Sequence, residues 1–497
     1  MAKFVAKFVA NTSVKQRYGV IGAGWAGCAA AMELARAGHG VTVFEAARTL
    51  GGRARRVERE NTVLDNGQHI LLGAYTETLR LIKLAGQDPA ELILTLPLQM
   101  RYPADSGGMD FIAPRLPAPL HLAWALLRAQ GLSFADKLAL MRFSTAMRTM
   151  GWQLYHDCTV SELLLRFDQT EQLNRLMWHP LCLAALNTPP ERASARVFLN
   201  VLRDSLGASR RRASDMLIPK TNLSALFPEA AARYLAQHGG DVRTGAKVSA
   251  LQALPDGRWQ LDDSASFDGV IVATSSVQAA SLLQGVHDAR LDEAINRMQA
   301  FTAEAISTCY LQYDASVRLD LPFYALVDAP QQQHWGQFVF DRGQLDARQA
   351  GLLAVVVSAS GPAAEQGHAA LTQAIAAQLA QVLQRAELAQ PLWTQLITEK
   401  RATFACTPDL VRPGNASGMP ACCSLATIRP MLTGSTIIRP LSRLQCAVAW
   451  QRPRPSPRAN WHSRRRCILS CYHSPPRYCI LSHRAGAPEC AWVQSEH

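Results

Sequence analysis

The spacing of apolar and polar positions divides this chain into stretches of different period. A short apolar run at residues 18–21 is followed by Gly22, Gly24 and Gly27, which fits a buried parallel strand, a tight turn and a helix over 28–37 that Gly38 stops. A second apolar run at 41–44 predicts another strand and delivers Glu45 at its end, 18 residues past Gly27. From Thr76 to about Lys220 the period becomes helical. Ser133 with Asp136 and Thr159 with Glu162 read as capping boxes, each ahead of an apolar helical run. Leu140, Phe143, Met147 and Met150 recur at helical spacing, as do Leu120, Trp124 and Leu127 upstream, and we read both stripes as core rather than as a lipid-facing entrance. Residues 114–119, rich in proline, form a stiff connector. Strand patterns return at 241–248, 258–261 and 267–274. Between 300 and 360 short strands dominate, at 305–313, 337–340 and 352–358, and predict an antiparallel sheet before an Ala- and Gln-rich helix over 371–386.

The glycine triplet carries the first chemistry. In a strand-turn-helix unit, Gly22 allows the tight turn, Gly24 lets backbone approach a pyrophosphate, and Gly27 lets the helix pack close on the strand. The amides of the loop and helix start, at Ala23, Trp25 and Ala26, then face an anion at the positive end of the helix dipole. Glu45 is placed to accept hydrogen bonds from ribose hydroxyls. An ordinary Gly-rich turn is the alternative to this dinucleotide site.

Two further segments point to which dinucleotide. Gly51, Gly52 and Arg53 follow the acidic residue closely, with Arg55 and Arg56 beyond, and then come Asp65, Asn66, Gly67, Gln68 and His69. Here the chain resembles the flavin amine oxidase and phytoene desaturase superfamily. That resemblance implies FAD as cofactor, its phosphates near Gly51, Gly52 and Arg53, its isoalloxazine ring beside Asn66, Gly67, Gln68 and His69, and its adenine side against the backbone of Val248. Residues 178–194, 197–207, 65–75 and 223–229 resemble one branch, the squalene-associated FAD-dependent desaturases that act as hydroxysqualene dehydroxylases. The likeness runs from about Tyr18 to Pro420. It implies an α/β chain, α+β overall, in which a Rossmann-like FAD-binding domain is interleaved with a helical and antiparallel-sheet substrate domain. The implied FAD-binding parts are 17–75, 223–285 and the start of a third at 399–420, and the implied substrate parts are 76–222 and 286–398.

Charge changes this picture only at the end of the chain. The formal net charge is +12, but residues 421–497 hold eleven Arg, no Lys and only Glu489 and Glu496, so the first 420 residues carry +3. That distribution argues against nucleic acid as a partner of the body. Seven of the twelve cysteines also lie in that tail, and the five others are scattered as in a cytoplasmic enzyme without a disulfide framework. No paired His or Cys at ligand spacing accompanies His179 and Cys182, which read as core residues, so no metal site is expected. Residues 1–16, with their repeated Ala-Lys-Phe-Val, read as a disordered extension and not a signal peptide, and no run is apolar enough for a membrane helix.

In the family that the chain resembles, the segment after Asn415 leads to an apolar strand ending in Ala-Gly-Asp that closes the FAD site. Here it continues as Ala421-Cys422-Cys423-Ser424-Leu425. Codons compatible with residues 421–431, read from the third base, permit Leu-Leu-Leu-Ala-Gly-Asp-Tyr-Thr-Ala-Asp, so residues 421–497 read as an out-of-frame tail. A natural basic Cys-rich tail is the alternative. For the intact family the resemblance implies reduction of hydroxysqualene to squalene, a C30 isoprenoid substrate, peripheral contact with the inner face of a membrane and an electron donor that the sequence does not name. His69 is the candidate general acid for the leaving hydroxyl, or a residue that only orients the flavin loop. An amine oxidase or a carotenoid desaturase would share the fold, and an inactive product of a frameshifted gene would share the sequence.

Overall fold

The computed structural model describes residues 15–59, 62–104, 106–413 and 448–450. Its first sheet grows from the strand Arg17–Ile21, which pairs in parallel with Gly40–Glu45 on one side and Gly269–Val272 on the other. Asp241–Thr244 extends the sheet in parallel beyond Gly40–Glu45. Strands buried on both faces read as continuous apolar runs, as Gly-Val-Ile-Val does at Gly269–Val272, where all four residues are buried. The crossover helix Trp25–Arg36 begins three residues before its expected start, because Gly24 is already an extended N-cap and the Ala-rich run that follows has no breaker. Gly27 therefore lies inside the helix, in its first turn.

The out-of-frame reading covers 421–497, of which only Val448–Trp450 belongs to the described residues. There the sequence predicted no element, and the structure places a strand antiparallel to Gly269–Val272 at the edge of the first sheet.

The second sheet is antiparallel, in the order Phe323–Ala325, Phe338–Asp341, Leu352–Ser358, Ala303–Gln312, Trp393–Phe404. One face packs on helices, including Ala195–Ser205 and His179–Leu186, around Trp178, Phe198 and Phe340. The other packs under the helix His368–Val382 through Leu371, Ile375 and Leu379. Both expected capping boxes form: Ser133 Oγ accepts from Asp136 N at 3.2 Å, and Thr159 Oγ1 accepts from Glu162 N at 3.1 Å, each with its reciprocal bond.

The expectation for the two apolar stripes holds for one and fails for the other. On the helix Phe134–Thr149, Leu140, Phe143 and Met147 are buried, although Met150 just past its end is exposed. On the helix Leu120–Arg128 the stripe is turned outward, with Leu120, Trp124 and Leu127 exposed and His121 and Ala125 buried instead. The cause lies in the neighbours. Ala125 joins the buried cluster that also holds Tyr102 and Met109, whereas nothing among the described residues covers the larger side chains.

Candidate active site

The turn after the first strand is held by backbone. Gly22 N donates to Phe44 O at 2.7 Å, and Gly22 adopts φ +100°, where an L side chain is strained. A Cβ on Gly27 would sit 1.9 Å from Gly22 O, so only glycine lets the helix start this close to the strand. Gly24 differs, since a Cβ there would meet no protein atom nearer than 3.9 Å. The space it would fill is the cavity, which Gly22, Gly24, Trp25 and Ala26 line. No side chain caps this helix, no acid lies in its first turn, and its first internal bond runs from Cys28 N to Gly24 O, so the amides of Trp25, Ala26 and Gly27 have no intrahelical acceptor. Glu45 ends the second strand with Oε2 accepting from Ala23 N at 2.7 Å and Oε1 from Ala47 N at 2.9 Å, which fixes the carboxylate at the rim of the same cavity.

The second glycine pair packs on the first. Gly51 N donates to Ala23 O at 2.9 Å, and Gly51 and Gly52 both adopt positive φ, at +121° and +62°. Arg53 donates through Nη1 to Ala402 O at 2.6 Å and Arg401 O at 3.2 Å, tying this loop to the strand Trp393–Phe404. Arg55 Nη1 folds back on Gly52 O at 2.7 Å, and Arg56 pairs with Glu229. Val248 lines the cavity beyond Glu45, next to Lys247.

The segment Asn66, Gly67, Gln68 and His69 crosses from this loop to the second sheet. Asn66 Nδ2 donates to Arg53 O at 2.9 Å and to Glu399 Oε2 at 3.2 Å. Gly67 turns at φ +104°, Gln68 N donates to Thr308 Oγ1 at 3.2 Å, and Arg342 Nη1 donates to Gln68 Oε1 at 3.0 Å. Asp65 anchors the segment from below, accepting from Leu223 N at 2.8 Å on Oδ1 and from Tyr310 Oη at 3.0 Å on its carbonyl. Burial pushes the Asp65 carboxyl up to about 6, against the opposing pull of Arg342.

His69 does not fit the general-acid role expected of it. Burial lowers its pKa to about 4, with Gly67 O pulling the other way and the Arg53 charge adding to the lowering. The ring is neutral at neutral pH, and a proton on Nδ1 bonds Gly67 O at 2.6 Å. Its Nε2 is left as an acceptor, so His69 can orient a hydroxyl but holds no spare proton to deliver.

The glycine loops, Glu45, Arg53 and the segment Asn66 to His69 open on one cavity of about 950 Å³, while Asp65, Thr308 and Arg342 support it from outside the lining. The sequence-predicted residues Gly22, Gly24, Trp25, Ala26, Glu45, Gly51, Gly52, Arg53, Asn66, Gly67, Gln68, His69 and Val248 all line it, while Ala23 and Gly27 sit behind the wall. The same lining includes the apolar side chains of Leu181, Leu183, Ala184, Leu206, Met216, Phe323, Phe338 and Phe340, together with Gln99, Ser205, Ser214 and Ser358. Sequence reasoning missed Thr308, Arg342 and Glu399. Glu399 and Arg401 carry a weak signal, as charges in a strand that reaches the flavin segments, but Thr308 looks like any sheet residue and Arg342 like any polar residue of a turn after a strand. Among the described residues no group of His, Cys, Asp and Glu is placed to hold a metal, and Cys28, Cys158, Cys182, Cys309 and Cys406 are free thiols.

A dinucleotide with an uncharged ring system fits this lining. The glycine cradle leaves room that a Cβ at 24 would fill, the helix start offers amides to a pyrophosphate, and the cavity continues past the cradle to Asn66, Gly67 and Gln68. Cradle, parallel sheet and second sheet together define the class of FAD-dependent oxidoreductases. The family profile "Flavin containing amine oxidoreductase" matches residues 25–401, and the chain belongs to this family. FAD is its cofactor.

The chain is 35% identical over 284 residues to a hydroxysqualene dehydroxylase of Rhodopseudomonas palustris, covering 54% of this chain and 63% of that one. It is 28% identical over 258 residues to a zeta-carotene desaturase of Zea mays, covering 49% of this chain and 45% of the relative. It thus spans less than two thirds of the length of these curated relatives. Among solved structures, an oxidoreductase from Methanosarcina mazei superposes with a TM-score of 0.58 at 16% identity, over 80% of this chain and 92% of that one. A putrescine oxidase variant superposes with a TM-score of 0.57 at 17% identity, over 77% of this chain and 84% of that one. These two likenesses speak to the fold.

Proposed function

We propose that this protein reduces an allylic alcohol of a long isoprenoid, converting hydroxysqualene to squalene. The observation that carries this reading is the apolar lining of Leu183, Met216, Phe323, Phe338 and Phe340 in the same cavity, which suits a hydrocarbon. Reduced FAD, when bound, supplies the hydride. Overall, R–OH and FADH2 would give R–H, H2O and FAD, with the C–O bond broken and both the hydride and the proton drawn from the reduced cofactor. The apolar wall keeps solvent from the reacting carbon, and His69 Nε2 accepts from the substrate hydroxyl and holds it in place. Asn66, Gly67 and Gln68 position the ring, themselves held by Glu399, Thr308 and Arg342.

A carotenoid desaturation is the second reading, favoured by the zeta-carotene desaturases among the relatives and by the same apolar wall. The two separate on products. Incubation of the flavin-loaded protein, reduced beforehand for hydroxysqualene and left oxidised for phytoene or a diamine, followed by product analysis, is expected to yield squalene from the first and no product from the other two. New double bonds in phytoene without squalene formation would move the assignment to the second.

We also propose that residues 421–497 are translated out of frame, on the strength of the shifted reading that restores Ala-Gly-Asp. Resequencing codons 410 to 455 tests it. A correction of one or two bases is expected, and the frame-restored chain is expected to hold FAD more tightly. An unchanged sequence with unchanged flavin affinity on frame restoration would remove the proposal.

A further inference from the structure

The outward stripe of the helix Leu120–Arg128 continues onto the next helix. Leu120 is 59% exposed, Trp124 46% and Leu127 70%, and across the short connection Phe134 is 82% and Met141 52% exposed. Single exposed apolar side chains are ordinary, but five on two consecutive helices mark a candidate docking surface. Lys137 Nζ donates to Leu127 O at 3.0 Å, which joins the end of one helix to the start of the next. The Arg128 guanidinium carbon lies 5.2 Å from the centre of the Trp124 ring, which puts a cation on the same face.

The charges around the stripe decide what covers it. From residue 114 to 150 the chain carries Arg115, Arg128, Lys137, Arg142 and Arg148 and a single acid, Asp136. That acid is buried and spent on Ser133 and Thr170, so no carboxylate of this stretch faces outward. A second copy seated symmetrically on this face would set arginine against arginine. Aliphatic and aromatic side chains mixed with exposed cations, on helices lying flat against the protein, match an anionic bilayer surface instead.

We propose that the outer faces of the helices Leu120–Arg128 and Phe134–Thr149 dock this protein on an anionic lipid bilayer, with Leu120, Trp124, Leu127 and Phe134 entering the acyl boundary. The inner side of the first helix meets the cavity wall. His121 Nε2 lies 3.3 Å from Ser214 Oγ, and Ser214 lines the cavity, so one helix separates the lipid face from the apolar chamber. An apolar substrate dissolved in the bilayer then has its entry beside this helix. The entry route rests on the isoprenoid reading given above, whereas the docking itself does not.

The test is co-sedimentation of the full-length chain with vesicles, without substrate. Wild type is expected to bind phosphatidylcholine–phosphatidylglycerol vesicles, more weakly at high salt, and to bind pure phosphatidylcholine less. The Leu120→Ser/Leu127→Ser/Phe134→Ser variant is expected to lose binding by on the order of 100-fold, from the apolar area withdrawn. Arg115→Gln/Arg128→Gln/Arg142→Gln is expected to lose the preference for anionic lipid. Both variants should keep the wild-type unfolding temperature and flavin content. Equal vesicle binding by wild type and the serine variant, no binding by wild type, or a wild-type dimer that the serine variant dissociates would each overturn the proposal. A chain that binds vesicles through these residues yet leaves hydroxysqualene unchanged keeps the docking and removes only the substrate.

Discussion

The two ends of the cavity are built from different material. At the dinucleotide end the wall is backbone: Gly22, Gly24, Gly51 and Gly52 present main chain and open space, and side chains such as Glu45 and Arg53 brace the loops. At the far end the wall is side chain, with Phe323, Phe338 and Phe340 from one sheet facing Leu181, Leu183 and Ala184 from one helix. The backbone wall tolerates little substitution: a Cβ at Gly22, Gly27 or Gly51 would collide with a carbonyl, and one at Gly24 would fill the cavity itself. A side-chain wall tolerates exchange of one apolar shape for another. Substitutions at the first end are therefore expected to abolish flavin binding, and those at the second to tune rate and specificity.

That comparison breaks most sharply at Gly27. Gly27→Val places a Cβ 1.9 Å from Gly22 O, and it is expected to abolish flavin uptake, more than about 100-fold in affinity. Flavin absorbance of the purified variant reads this directly. At the other end, Phe340→Ala removes a ring stacked 5.5 Å from Phe323 and should cost roughly 3 to 5 kcal/mol in stability. It should also lower turnover yet leave the flavin stoichiometry intact, by denaturant titration and absorbance.

Between the two ends, Asp65 and His69 give a pH signature. Asp65 is raised from 3.8 to about 6, so its contribution to stability is full below 3.8 and lost as pH rises through about 6. His69 is lowered from 6.5 to about 4, so its contribution is full above 6.5 and lost as pH falls through about 4. The two slopes oppose each other. Asp65→Asn is expected to leave the His69 slope exposed, so that the variant loses up to about 3 kcal/mol relative to wild type on acidification from neutral pH to about 4. Urea unfolding of the flavin-free chain across that range measures it. The smallest effect is expected at Arg342→Leu, which removes the bond to Gln68 Oε1, with turnover about tenfold lower and flavin content unchanged.

The same contrast explains what could be read from the sequence. The glycine spacing and the acid at the strand end are legible because a pyrophosphate and a ribose impose fixed distances on a strand-turn-helix unit. Three of the five antiparallel strands were legible as short strand patterns, but Phe323–Ala325, Trp393–Phe404 and the long-range pairing were not, so Thr308 and Arg342 stayed invisible until the fold set them beside Gln68. The apolar stripes show the limit of periodicity. Leu140, Phe143 and Met147 point inward, and Leu120, Trp124 and Leu127 point outward, from patterns of the same helical spacing. Period fixes which residues share a face, and only the neighbours decide which face is covered. The chemistry of His69 was hidden for a similar reason, since its pKa is set by burial and by Gly67 O.

The most direct test of a flavin cradle joined to a hydrocarbon chamber is a single turnover without oxygen. The full-length chain, in the reading frame that resequencing establishes, is loaded with FAD, reduced, and mixed with hydroxysqualene while flavin absorbance is followed and the products are extracted. Reoxidation of the flavin with one squalene formed per flavin is the outcome expected here. A flavin that stays reduced in the presence of hydroxysqualene, but is reduced from its oxidised form by a diamine, would contradict the account.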